Sequence, residues 1–120
     1  MTAISDITIY EGNSLTLETI GLKDSSGLLV DLTGAAIRFR AAPSVSSPAE
    51  DVFIDKLLGA GVRLLGDPED ASYAIDIDPA DTVGHAGTSR FDVDLVLASG
   101  KVLKPSAGRL IVRPSLLASA

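Results

Sequence analysis

The stretch Phe91-Asp92-Val93-Asp94-Leu95 puts a large apolar side chain at every second position and an aspartate at each position between. Side chains of an extended chain point alternately to opposite faces, so this is the pattern of a β-strand with one buried and one wet face. Two further stretches repeat it, Ile37-Arg38-Phe39-Arg40 and Tyr73-Ala74-Ile75-Asp76-Ile77-Asp78. Read outward from these three, alternation places most charges on the outer faces of strands and leaves few side chains for chemistry.

Toward the N-terminus the same reading gives short strands at Ile7–Tyr10, Leu15–Ile20, Leu28–Leu32 and Ala36–Ala41. The turns between them are Glu11-Gly12-Asn13, Lys23-Asp24-Ser25-Ser26-Gly27 and Thr33-Gly34, rich in residues that bond local backbone or tolerate positive φ. Residues 42–51 hold two prolines among small polar residues and are expected to be the longest loop. Strands follow at Val52–Leu57, Val62–Leu65 and Tyr73–Asp78. Pro79–Val83 is expected to make one helical turn with Asp78 as its N-cap. The last third reads as strands at Ser89–Ala98, at Lys101–Lys104 halted by Pro105, and at Arg109–Arg113 halted by Pro114. Short strands at regular spacing with turn signals between them predict an all-β fold, an antiparallel two-sheet Ig-like β-sandwich.

The 120 residues make one domain, spanning 1–120, with apolar extensions at 1–5 and 114–120 outside the expected core. A net charge of -6 opposes binding to a phosphate backbone, so nucleic acid is not expected as a partner. There is no apolar run long enough for a membrane-spanning helix and no secretory leader, so neither a membrane nor export by a cleaved signal is expected. The absence of cysteine removes disulfides and thiolate metal sites. Hydrophobic residues make up 46% of the chain, yet aromatics only 4%. A domain this small cannot bury all of that Ala, Val, Leu and Ile, so some of it is expected to meet another chain.

Candidate chemistry is thin. Asp76, Asp78, Asp81, Asp92 and Asp94 could supply oxygens to a calcium ion, but they lack the spacing and glycine of a calcium loop, and four of them are outward strand positions. His85 is the single histidine and sits in a glycine-containing loop without a nucleophile elbow or a second histidine at metal-binding spacing. Gly59-Ala60-Gly61 opens into the strand-like Val62-Arg63-Leu64-Leu65, whereas a phosphate-cradling loop opens into a helix. The expectation is a non-enzyme with no cofactor and no metal. Arg38 and Arg40 stand outward and can pair with aspartates across the sheet, or form a charged stripe for a partner.

The order Glu11-Gly12-Asn13, Asp24-Ser25-Ser26-Gly27, Val30-Asp31-Leu32-Thr33-Gly34-Ala35 and Ile37-Arg38-Phe39-Arg40 resembles small β-sandwich proteins of tailed bacteriophages. Asp81-Thr82, Phe91-Asp92-Val93-Asp94-Leu95, Ser99-Gly100-Lys101-Val102 and Gly108-Arg109-Leu110-Ile111-Val112-Arg113-Pro114 continue it. The pattern is similar to the N-terminal domain of phage baseplate upper proteins and to short virion proteins built on that module. The resemblance implies a virion structural protein, made in the bacterial host cytoplasm, which docks on other virion proteins and on itself as a homo-oligomer or part of a symmetric assembly. In baseplate upper proteins the module is followed by further regions. Here the chain stops at Ala120, so a tail, baseplate or neck adaptor or a capsid decoration protein is expected in place of a receptor-binding part. Candidate interface residues are Ile4, Arg38, Arg40, Val45, Leu116 and Leu117. A carbohydrate-binding β-sandwich for host adhesion is the alternative, and its aromatic platform would have to come from Tyr10 and Tyr73.

Overall fold

Where the sequence alternates, the chain is extended. The computed structural model describes residues 3–44 and 46–114. Its strands are β1 (Ala3–Tyr10), β2 (Leu15–Thr19), β3 (Ala36–Ala42), β4 (Ile54–Leu58), β5 (Gly61–Leu64), β6 (Tyr73–Ile77), β7 (Gly87–Val96) and β8 (Val102–Arg113). One helical turn, α1 (Pro79–Thr82), follows Asp78, whose backbone N–H donates to the Asp81 carboxylate at 2.7 Å. All eight strands join in one continuous sheet, in the order β1-β8-β7-β3-β4-β5-β6-β2. The sheet curls into a nearly closed, barrel-like shape whose two edges, β1 and β2, do not pair with each other.

The core is the inward half of each alternation. Ile37, Phe39 and Ala41 of β3, Phe91, Val93 and Leu95 of β7, and Leu110 and Val112 of β8 are all buried, joined by Ile54, Val62, Tyr73, Ile75 and Ile77. At its centre Phe39 and Phe91 stack with ring centroids 5.6 Å apart, a contact worth about 0.5–1.5 kcal/mol beyond the area it buries.

Four sequence expectations are corrected. The sheet is mixed, not antiparallel throughout, because β1 pairs with β8 and β4 with β5 in parallel. The first of these pairs is permitted by Gly108, which lies opposite Ser5. A Cβ built on Gly108 would stand 1.7 Å from the Ser5 carbonyl oxygen, so only glycine lets the two backbones meet. Secondly, the N-terminal strand starts at Ala3, so residues 3–5 belong to the sheet and not to an extension. Thirdly, Pro105 does not end a strand. Residues 104 and 105 of β8 together oppose Asp94 of β7, a bulge in which proline's missing N–H costs no ladder bond.

Finally, Leu28–Leu32 is not a strand. Its only bridge joins Lys23 and Leu29, so residues 20–35 form the longest connection, longer than the loop between β3 and β4. That connection is nevertheless fastened. Val30 and Leu32 are buried, Leu22 N–H donates to the Ala71 carbonyl at 2.8 Å, and Leu32 N–H donates to that of Pro68 at 3.0 Å. The Asp24 carboxylate accepts from the N–H groups of Ser26 and Leu28.

Candidate interaction surfaces

Because charges fill the outward half of the alternation, the outer face of β4-β3-β7-β8-β1 is a ladder of ion pairs. Arg38 Nε donates to Asp55 Oδ1 at 2.8 Å, and Arg40 Nη2 donates to Asp94 Oδ2 at 2.9 Å. Lys104 Nζ lies 2.9 Å from Asp92 Oδ2 and 3.0 Å from Asp94 Oδ1, and Arg109 Nε donates to Asp6 Oδ1 at 3.1 Å. Elsewhere Arg63 holds Asp76, and Lys56 spans Asp78 and Asp81. The pairing of Arg40 with the aspartates of β7 agrees with the expectation from sequence, whereas Arg38 finds Asp55, a partner outside the aspartates singled out there.

These contacts set the titration behaviour. Hydrogen bonds from Arg109, Arg38 and Arg63 hold the carboxyls of Asp6, Asp55 and Asp76 below their ordinary range. Burial works against the ammonium of Lys56, but its bonds to Asp81 and Asp78 outweigh it and raise the pKa. Exposed pairs of this kind add little to stability, because water and salt screen the attraction and holding two long side chains in place costs entropy. Arg38 and Arg40 thus have carboxylate partners within their own chain, whereas Asp92 Oδ1 is left without a hydrogen bond among the described residues.

The groups considered for catalysis do not converge. The His85 ring stacks on Phe53 with centroids 4.1 Å apart, and its side chain makes no hydrogen bond among the described residues. Among those residues no three His, Cys, Asp or Glu side chains are placed to hold a metal ion. Of the two tyrosines, Tyr10 is exposed but Tyr73 is fully buried beside Thr19, where desolvation pushes its hydroxyl pKa up. Only Tyr10 could contribute to an aromatic platform.

Two apolar features stand out. In the connection 20–35 and in the β7–β8 hairpin, Ile20, Leu28, Leu29, Val96 and Val102 are exposed, Ile20 at 71%, Leu28 at 66% and Val102 at 64%. Hollows of about 310 and 300 Å³ run between the two segments, lined by Leu22, Leu29, Leu97, Val102 and Leu103 together with the charged Lys23, Asp24, Asp31, Lys101 and Lys104. Leu28 and Leu29 sit between the anchored Asp24 and the buried Val30, so they are presented in a fixed arrangement. Sequence reading misses these exposed side chains because it assigns Leu28–Leu32 to a strand, where alternation would cover half of its side chains.

The second feature is the seam between the unpaired edges β1 and β2. A cavity of about 340 Å³ opens there, lined by Ser5 and Ile7 of β1, Leu17, Glu18 and Thr19 of β2, Leu22, Pro105, Ser106 and the core residues Phe39, Ile75, Phe91 and Val93. Of the remaining interface candidates, Ile4 lies in β1 opposite Ala107, and Val45, Leu116 and Leu117 fall outside the described residues. No helix is long and apolar enough to cross a membrane among the described residues.

Comparison with known proteins adds the fold class. No model of a known protein family matches the chain, and a search of curated proteins finds no significant match. Among solved structures it is similar to a chicken TCR, with 16% identity and a TM-score of 0.58 over 93% of this chain. The chain spans 54% of that TCR chain, about half its length. Fibronectin(III)-like modules of CbhA from Clostridium thermocellum align at 10% identity over 95% of this chain and 93% of theirs, with a TM-score of 0.44. The likeness to the TCR is one of fold alone, and it makes the chain an all-β domain of Ig-like shape.

Proposed function

We propose that this chain is a non-enzymatic structural protein of a tailed-bacteriophage virion, a tail, baseplate or neck adaptor or a capsid decoration protein, which docks on other virion proteins. The observation that carries the reading is the set of exposed large apolar side chains on residues 20–35 and the β7–β8 hairpin, with Leu29 and Val102 on adjoining hollows. Large apolar side chains left exposed beside a hollow mark interaction sites. The resemblance of the turn and strand signatures to phage baseplate modules supplies the virion context. A non-enzyme is supported by the stacking of His85 on Phe53 and by the engagement of the strand aspartates with cations.

In this reading the barrel works as a two-sheet sandwich. One layer is β1-β8-β7-β3-β4 and the other is β5-β6-β2, joined where the chain jogs at Gly59-Ala60-Gly61. The ion-pair ladder then keeps the broad face soluble, and the exposed apolar side chains make the contact. The test is recovery of the protein in purified particles by quantitative mass spectrometry, for the native chain and for a Leu28→Asp, Val102→Asp double variant. Both side chains are mostly exposed, so the variant is expected to fold and to disappear from particles. Undiminished recovery of the double variant, or absence of the native chain from particles, overturns the proposal.

A further inference from the structure

The hollow of about 300 Å³ between residues 22–25 and 101–105 is cationic in an acidic chain. It holds Lys23, Lys101 and Lys104 against a single carboxylate, Asp24, whereas the whole chain has sixteen acidic and ten basic residues. These charges are not equally free. Asp24 Oδ1 accepts from the N–H groups of Ser26 at 2.8 Å and Leu28 at 3.1 Å, so it is engaged in shaping its own turn. Lys104 is held by Asp92 and Asp94 at 2.9 and 3.0 Å. Lys23 and Lys101 are exposed and form no ion pair among the described residues. The same wall carries Leu22, Leu103 and the mostly exposed Val102. The adjoining hollow of about 310 Å³ has the opposite balance, Asp24 and Asp31 against Lys101 alone.

We infer that the cationic hollow takes an acidic segment of another protein in which a Glu or Asp side chain stands next to a large aliphatic one. The carboxylate pairs with Lys23 and Lys101, and the aliphatic side chain lies on Val102 and Leu103. A wholly apolar segment fits less well, because it would cover two ammonium groups and offer them no partner. A phosphodiester backbone fits less well too, since it leaves the apolar wall uncovered and the net charge of -6 repels a polyanion. Opposite charges at such a rim set partner choice and encounter rate, so the contact weakens as salt rises.

The inference rests on the docking proposal above, for which it names the partner's chemistry, and it fails separately from it. The test follows backbone amide NMR signals of the full chain on titration with acetyl-Glu-Leu-Glu-Leu-Glu-amide, with its Gln-Leu-Gln-Leu-Gln counterpart and with inorganic phosphate, each over millimolar concentrations. The acidic peptide is expected to move the signals of Leu22–Ser25 and Lys101–Lys104, and the other two probes to leave them in place. Lys23→Gln combined with Lys101→Gln should weaken binding roughly 2–30-fold, the loss of two exposed ion pairs. Arg90→Gln combined with Arg113→Gln removes as much charge from exposed cations outside the hollow and should leave binding unchanged. No movement, equal movement with the Gln peptide or with phosphate, or equal weakening in the two double variants overturns the inference. A Lys23→Gln, Lys101→Gln chain recovered from particles as well as the native one would keep the docking proposal and sink this one. A native chain that binds the peptide but is absent from particles would sink only the virion reading.

Discussion

Replacing Gly108 by alanine tests the parallel β1–β8 pairing through the sign of a stability change. In an ordinary strand this substitution stabilises, because glycine costs about 0.5–1 kcal/mol relative to alanine. Here the added Cβ would stand 1.7 Å from the Ser5 carbonyl oxygen, and real Cβ contacts do not fall below 3.0 Å, so β1 must retreat by about 1.3 Å. Ladder bonds of about 2.9 Å would then exceed 4 Å, beyond hydrogen-bond range. Losing two or three such bonds, each worth about 0.5–1.5 kcal/mol net, costs about 1–4 kcal/mol. After subtracting the alanine gain, the expected loss spans about 0–4 kcal/mol and centres on about 2 kcal/mol. At a urea dependence of about 2 kcal/mol per molar, the unfolding midpoint read by far-ultraviolet circular dichroism falls by roughly 0–2 M, centred on about 1 M. Exchange of amides in Ser5–Thr8 should accelerate more than exchange in β3 or β6. A midpoint above that of the native chain would refute the close approach and with it the place of β1 in the sheet.

Other outcomes follow from the same contacts. Thr82 is fully buried and its hydroxyl accepts from Gly12 N–H at 3.0 Å, so Thr82→Val should cost about 1–3 kcal/mol in urea unfolding by stranding that donor. Arg109→Ala breaks an exposed pair with Asp6 and should lower the urea midpoint only slightly, a difference that vanishes in about 1 M salt. Asp6, Asp55 and Asp76 have folded pKa values below their ordinary 3.8, so the stability they contribute is present above that value and is lost as pH falls through the lower, folded values. The urea midpoint should hold steady from about pH 8 to about pH 5 and drop below about pH 4, and a midpoint unchanged down to about pH 3 would contradict the pairing.

Most strands were legible because burial on one face imposes a period of two, and β3, β6 and β7 carry that period in nearly every residue. The pairing was not legible. Val30 and Leu32 alternate as well as any strand and are buried, yet they have no neighbouring strand, because alternation reports which side chains face inward and not what lies beside the backbone. Pro105 read as a stop because a local view cannot see the bulge opposite Asp94 that absorbs it. The contact between Arg40 and β7 could be anticipated from charge on matching faces. The exposed apolar side chains could not, since the exposure of Leu28 depends on its loop having no sheet to cover it.

The parallel run of β1 along β8 has a mechanical consequence. Ala3 and Arg113 stand at opposite ends of the β1–β8 ladder, on adjacent strands in register over eight residue pairs. Tension applied between the two ends of the chain would act along this ladder. It would load its hydrogen bonds together in shear, whereas a terminal hairpin peels open one bond at a time. Pulling between Ala3 and Arg113 therefore loads the whole ladder at once and does not peel β1 from its edge.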